Sequence, residues 1–169
     1  LVGAGVVPLE ARRHGVPVLV DLDFRADQWH DARAFGITAR AFLRGCTFAL
    51  GTEEEILATM LTDPDMIRIR HQQISAPEIR GDVDAAIRDI MALGLEALVV
   101  KRGAKGSTVF LKSGEVIDVP GFPVEVVNVL GAGDAFASGF IYGFLKGWDW
   151  YKCCRMGNAC GAILVTKPG

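Results

Sequence analysis

No apolar run in this sequence is long enough to cross a bilayer. The longest, Ala135 to Leu145, falls well short of the roughly 20 residues that a spanning helix needs. Charge of one sign is also scarce: 18 basic against 20 acidic side chains leave a formal charge of −2. That balance gives no electrostatic footprint for nucleic acid or an anionic membrane, and neither is expected as a partner. Cysteines number four, and Cys46, Cys153, Cys154 and Cys160 show no C-x-x-C spacing. His14, His30 and His71 are scattered through other segments, so no zinc-like ligand set forms. The thiols read as buried and reduced, which fits a cytoplasmic protein. Repeats, linkers and low-complexity segments are lacking, and the first residues do not read as a basic-then-apolar signal segment. The sequence opens at Leu1 rather than Met, and reads as a piece of a longer protein.

What is present is the composition of a folded domain. Half of the 169 residues are hydrophobic and the mean hydropathy is +0.29, values foreign to a disordered chain. Twenty glycines exceed the roughly 7% of ordinary usage and point to turns and close backbone approaches.

Short β-rich runs alternate with helical periodicity. Pro17 to Leu22 reads as a buried strand, preceded by a helix that ends at His14-Gly15. Asp31 to Leu43 has helix spacing of its apolar residues. Thr47 to Leu50 is a second strand, and Thr52 with Glu55 forms a capping-box spacing ahead of the helix Glu53 to Leu61. Asp63 to Arg80 is polar and irregular, a surface excursion. An amphipathic helix from Asp82 to Leu93 leads into the strand Ala97 to Lys101. Ser107 to Leu111 and Glu115 to Val119 form a hairpin about Ser113-Gly114, and Val124 to Val127 is a further strand-like run. Asp134 to Lys146 and Trp150 to Val165 are apolar nearly all round, which predicts two buried helices. The pattern implies an α/β fold around a mostly parallel sheet, with a late antiparallel hairpin.

The most informative segment is Val126-Val-Asn-Val-Leu-Gly131-Ala132-Gly133-Asp134-Ala-Phe136. A glycine loop opens an apolar helix, where converging amides and the helix dipole favour an anion such as a phosphoryl group. Asp134 could cap that helix or act as a general base toward a hydroxyl, and the spacing alone favours the cap. A dinucleotide fingerprint would need glycine or alanine where Phe136 stands, and belongs near the first strand. Lys101-Arg-Gly103-Ala-Lys105-Gly106 is either a second anion loop or a tight hairpin. Asn158 lies on a small-residue helix that reads equally as close helix packing. Asp21-Leu-Asp-Phe-Arg25 follows a strand, where open α/β sheets bind ligands, or holds a surface ion pair of little value.

Taken together and in order, these segments resemble the PfkB (ribokinase-like) family of carbohydrate kinases. Gly131-Ala-Gly-Asp-Ala-Phe136 is similar to the second family signature, and Lys101 to Gly106 to its nucleotide loop. Thr52-Glu-Glu-Glu55 stands where the family has N-x-x-E, Asp21 to Arg25 where it has D-x-N-x-R, and Asn158 where it has a late asparagine. The resemblance implies a three-layer ribokinase-like sandwich, of which residues 1–169 are the C-terminal nucleotide-binding and catalytic part. It implies ATP held at Lys101, Gly103, Lys105, Gly106 and Asn158, with Gly131, Ala132 and Gly133 as an anion hole. Asp134 becomes the base, Glu55 holds Mg²⁺ through water, and Arg25 grips the carboxylate of a sugar acid. The expected partner is a small sugar or sugar acid, with a homodimer as a candidate assembly, and the 169 residues alone are expected to be inactive. Asn128 and Val129 replace the Asp-Thr pair that usually opens the signature, so a monovalent-cation site there lacks its usual side chains. These variants are most similar to the branch acting on 5-dehydro-2-deoxygluconate in inositol catabolism. The other readings are another sugar kinase of the family, acting on 2-keto-3-deoxygluconate, fructose or ribose, a silent nucleotide-binding half, and a dinucleotide-dependent oxidoreductase.

Overall fold

The computed structural model describes residues 6–68 and 78–168. Its helices are α1 (Val6–Arg13), α2 (Ala32–Leu43), α3 (Glu53–Met60), α4 (Val83–Met91), α5 (Ala132–Leu145) and α6 (Trp150–Val165). Its strands are β1 (Leu19–Asp21), β2 (Phe48–Thr52), β3 (Ile67–Arg68), β4 (Glu78–Ile79), β5 (Ala97–Lys101), β6 (Gly106–Leu111) and β7 (Val116–Pro120). Five strands join in the order β1-β2-β5-β6-β7, a mixed, mostly parallel sheet with a late antiparallel hairpin, as the alternating pattern predicts.

The chain divides into two compact units, one running to Val99 and including Leu111–Ser113, the other formed by Val100–Phe110 and the residues from Gly114 onward. In the first unit, β1 pairs parallel with β2 in the register Leu19↔Phe48, Val20↔Ala49 and Asp21↔Leu50. Parallel strands buried on both faces need apolar residues throughout: Phe48, Ala49 and Leu50 are all buried, as is every residue from Ala97 to Val99. Leu43, Ile56, Ile87 and Ile90 bring helices α2, α3 and α4 into this core. In the second unit, β6 and β7 pair antiparallel from Gly106↔Pro120 to Phe110↔Val116, turning at Gly114, whose φ is +89°. Helices α5 and α6 form its other part, packed along Gly139 and Gly157. A Cβ on Gly139 would stand 2.8 Å from the Met156 carbonyl oxygen, and one on Gly157 2.9 Å from that of Phe136. The small residues of α6 are there to let two helix backbones touch.

Three expectations are corrected. Val124 to Val127 is not a strand; Val124, Val126 and Val127 are exposed, and the Val127 amide donates to the Val165 carbonyl at the end of α6 instead of to a ladder. Helices α5 and α6 bury one face only. Phe136, Phe140, Cys153 and Cys154 are buried, while Ile141, Tyr142, Leu145, Tyr151 and Ile163 are exposed, because hydrophobic residues all round cannot be covered by one neighbouring helix and one hairpin. The excursion from Asp63 to Arg80 begins and ends on a small antiparallel ribbon, with Ile67 opposite Ile79; residues 69–77 lie outside the described residues. The cysteines do behave as packing groups. Burial pushes the Cys46 thiol up to about 11 and that of Cys154 to about 12, so neither is a thiolate at neutral pH.

Helix starts are capped by short side chains. Asp31, Thr52, Asp82 and Asp149 accept backbone N–H bonds at α2, α3, α4 and α6. At α3 the full box is present: Thr52 Oγ1 accepts from the Glu55 amide at 3.3 Å, and Glu55 Oε2 accepts from the Thr52 amide at 2.7 Å. Replacing Thr52 by Ala is therefore expected to cost about 1 kcal/mol in the complete protein, and Thr52→Asn nothing, since Asn caps at least as well. Urea unfolding of the two variants checks this; equal losses would mean that the cap contributes no stability.

Candidate functional site

Helix α5 breaks the capping rule of α2, α3, α4 and α6. Its N-cap is Gly131 at φ +80°, and no side chain caps it. Asp134, which the spacing alone favours as the cap, lies in the first turn of the helix, past the cap position. Its side chain is exposed, and among the described residues its carboxylate accepts no hydrogen bond; only its backbone carbonyl is engaged, by Ser138 Oγ at 2.8 Å. The capping role is thus corrected.

The loop before it is held in shape by Asn128 and by the end of α6. The Leu130 amide donates to Asn128 Oδ1 at 2.9 Å, and the Val127 and Asn128 amides donate to the Val165 carbonyl at 2.8 and 3.1 Å. The Ala132 amide is consumed by the Val129 carbonyl at 3.1 Å, so Ala132 is not free to bind an anion as the resemblance implies. The amides of Gly133 and Asp134 have no acceptor among the described residues. A helix N-terminus with open N–H groups beside an unengaged carboxylate is equipped to hold an anion and to take a proton from whatever attacks it.

The second loop belongs to the same unit. Lys101 ends β5, and Gly103–Lys105 makes one turn of 3₁₀ helix between Gly103 at φ +56° and Gly106 at φ +99°. The Arg102 amide donates to the Gly106 carbonyl at 2.8 Å, closing the hairpin. Arg102 Nη1 reaches Thr108 Oγ1 at 2.7 Å, and that hydroxyl donates to Asp118 Oδ1 at 2.6 Å, so the first basic side chain after β5 serves the hairpin. Asn158 is buried, and its Nδ2 donates to the carbonyls of Val119 and Pro120 at 3.3 and 3.2 Å. It fastens α6 to the end of β7.

Sequence reasoning missed Gly121, Phe122 and Arg155. Arg155 Nη1 donates to the carbonyls of Pro120 and Gly121 at 2.6 and 3.1 Å, and its guanidinium lies 3.6 Å from the Phe122 ring centre. The available signal was position: Arg155 precedes Asn158 by three residues and so shares its helix face.

Arg25 and Glu55 are in the first unit. Arg25 Nε lies 3.2 and 3.3 Å from the carboxylate oxygens of Asp23, the surface pair weighed against carboxylate binding. Asp23 itself adopts φ +34°, an uncommon conformation for a non-glycine residue and one concentrated at functional sites. Glu55 is the box residue described above. No group of three or more His, Cys, Asp or Glu among the described residues could hold a metal ion, and no helix among them is long and apolar enough to cross a membrane.

Two glycines at similar positive φ give a test of the loop. A Cβ on Gly106 would stand 2.1 Å from the Val119 carbonyl oxygen, while one on Gly114 would meet nothing within 4 Å. Gly114→Ala should cost about 1–3 kcal/mol from backbone strain alone. Gly106→Ala should exceed about 4 kcal/mol, because the backbone of β7 must also move. Equal falls in unfolding free energy would show that the close approach is absent.

Comparison with known proteins places this geometry. Residues 9–169 match the pfkB family of carbohydrate kinases. The chain is 32% identical over 165 residues to a 5-dehydro-2-deoxygluconokinase of Clostridium tetani, covering 97% of this chain and 45% of that protein. It is 31% identical over 157 residues to one of Geobacillus kaustophilus, covering 93% and 43%. Among solved structures, a PfkB protein from Polaromonas is similar with a TM-score of 0.74 at 25% identity, covering 97% of this chain and 47% of that one. A putative ribokinase II from E. coli in complex with ATP and Mg²⁺ is similar with a TM-score of 0.73 at 25% identity, covering 94% and 45%. The chain thus spans less than half the length of these relatives. With a family match across nearly its whole length, it belongs to the pfkB family of carbohydrate kinases.

Proposed function

We propose that the complete protein transfers the γ-phosphoryl group of ATP to a hydroxyl of a sugar acid, and that residues 1–169 are the C-terminal nucleotide-binding and catalytic part. The observation that carries this reading is the pairing of the unengaged Asp134 carboxylate with the open Gly133 and Asp134 amides. Asp134 takes the proton of the acceptor hydroxyl as that oxygen attacks the γ-phosphorus in line. The amides at the start of α5 stabilise the charge on the transferring group without reorganising. Such a reaction asks a protein for positioning and charge neutralisation more than for covalent chemistry. Lys101, Gly103, Lys105, Gly106 and Asn158 hold the nucleotide in this reading, the glycines through close backbone approach and Asn158 from behind the loop.

Magnesium fits the residues present only as a water-mediated ion. There is no cluster of ligands among the described residues, but Mg²⁺ commonly keeps several waters and binds through phosphates and one or two carboxylates. Glu55, whose Oε2 accepts from the Thr52 amide, is the carboxylate that would hold such waters in this reading. The ion would supply charge neutralisation on the phosphates.

The acceptor is argued more narrowly from Arg25 and the named relatives. Only Nε of Arg25 is engaged by Asp23, which leaves the terminal amino groups of the guanidinium for a carboxylate. The similarity to 5-dehydro-2-deoxygluconokinases makes that keto acid the favoured acceptor, and inositol catabolism the favoured pathway.

Asp134→Asn in the complete protein should lower kcat by at least about 100-fold while nucleotide affinity stays nearly constant. Steady-state kinetics with calorimetric titration of ADP checks this, and a variant retaining a tenth of the rate would rule out the base. A substrate panel tests the acceptor. The keto acid should be preferred to ribose and fructose, and Arg25→Lys should reduce kcat/KM for the acid about ten- to a hundred-fold, because lysine lacks the planar fork. Preference for ribose or fructose would leave Arg25 as a partner of Asp23 and replace the acid with a neutral sugar.

A further inference from the structure

The nucleotide loop is braced from outside as well as by its own turn bonds. Its turn, Gly103–Lys105, rests on a shelf made by the backbone of residues 119–121. A Cβ on Gly121 would stand 2.4 Å from the Ala104 carbonyl oxygen and 2.9 Å from the Gly106 amide nitrogen. One on Gly106 would meet Val119, Gly121 and Pro120 backbone atoms at 2.1, 2.4 and 2.6 Å. Two stretches of main chain are in direct contact, so a shift of the shelf is a shift of the loop.

The shelf lies at the end of β7, where the ladder stops and the carbonyls of Pro120 and Gly121 face out of the hairpin. Helix α6 takes them up. Arg155 accounts for most of this, with one Nη1 donating to both carbonyls and the guanidinium face laid on Phe122 at 3.6 Å. Asn158 adds bonds to Val119 and Pro120. A charged donor gives shorter, stronger hydrogen bonds than a neutral one, and the planar group can bond at its edge while stacking on its face.

We infer that Arg155 is a positioning residue for the nucleotide loop, fixing the height of Gly103–Gly106 through the Pro120–Phe122 shelf. It deepens the kinase reading and rests on it. Arg155 touches neither phosphate nor acceptor in this role; it acts on MgATP affinity through the backbone, and the chemistry at Asp134 proceeds unchanged once nucleotide is bound.

The experiment is steady-state kinetics of the complete protein with MgATP as the varied substrate, for wild type, Arg155→Ala, Arg155→Lys and Phe122→Leu. Arg155→Ala should raise the KM for MgATP about tenfold, with kcat within about twofold and the KM of the acceptor constant. Arg155→Lys, which keeps the charge and loses the stacked plane, and Phe122→Leu, which keeps the arginine and loses the ring, should each give a smaller rise. A merely structural arginine would lower the thermal midpoint and the active fraction without moving the KM for MgATP; that result overturns the inference. If Arg155→Ala fails to fold, Phe122→Leu and Arg155→Lys decide by the same constant. An unchanged KM in variants of an active kinase refutes this inference alone, whereas a wild-type protein that does not turn over MgATP refutes the kinase reading with it.

Discussion

Direct backbone contact between α5 and α6 is the constraint on which the second unit depends. Gly139 and Gly157 leave no room for a side chain between the two helices, which fixes their relation more tightly than interdigitating leucines could. Helix α6 then serves two ends of the site at once. Its last residue, Val165, accepts the Val127 and Asn128 amides and so sets the loop that opens α5. Its middle, through Arg155 and Asn158, holds the backbone on which the turn Gly103–Gly106 rests. Both glycine loops are therefore referenced to one helix.

The start of α5 shows how a local rule yields to function. Four other helices have a side chain on their first amides. Here the cap position is Gly131 and the acidic residue is displaced into the first turn. A self-capped helix would have spent its amides and its carboxylate on each other. Leaving both open costs about 1 kcal/mol of helix stability and puts open amides and an unengaged carboxylate in one turn, the pair on which the proposed kinase chemistry rests.

Much of this was legible in the sequence, and the failures have physical causes. Strands β2 and β5 are buried on both faces, so apolar runs announced them, and Gly114 announced the hairpin turn. Thr52 marked its helix because capping is local chemistry. The run from Val124 to Val127 was misread because its valines satisfy strand propensity while its hydrogen bonds go to the end of α6, a long-range partner that no local pattern reveals. Asp134 was ambiguous for the opposite reason. Cap and base need the same residue type, and only the placement of Gly131 at the cap separates them. Arg155 was silent in the sequence because its partners are backbone carbonyls, which carry no residue identity.

The central claim is that the turn at Gly131–Asp134 binds the phosphoryl group being transferred. A crystal structure of the complete protein with Mg²⁺ and a non-hydrolysable ATP analogue tests it most directly. The account predicts terminal phosphoryl oxygens within about 3 Å of the Gly133 or Asp134 amide nitrogen, with the Asp134 carboxylate facing the acceptor hydroxyl. Phosphates bound elsewhere, with those amides left to solvent, would contradict it.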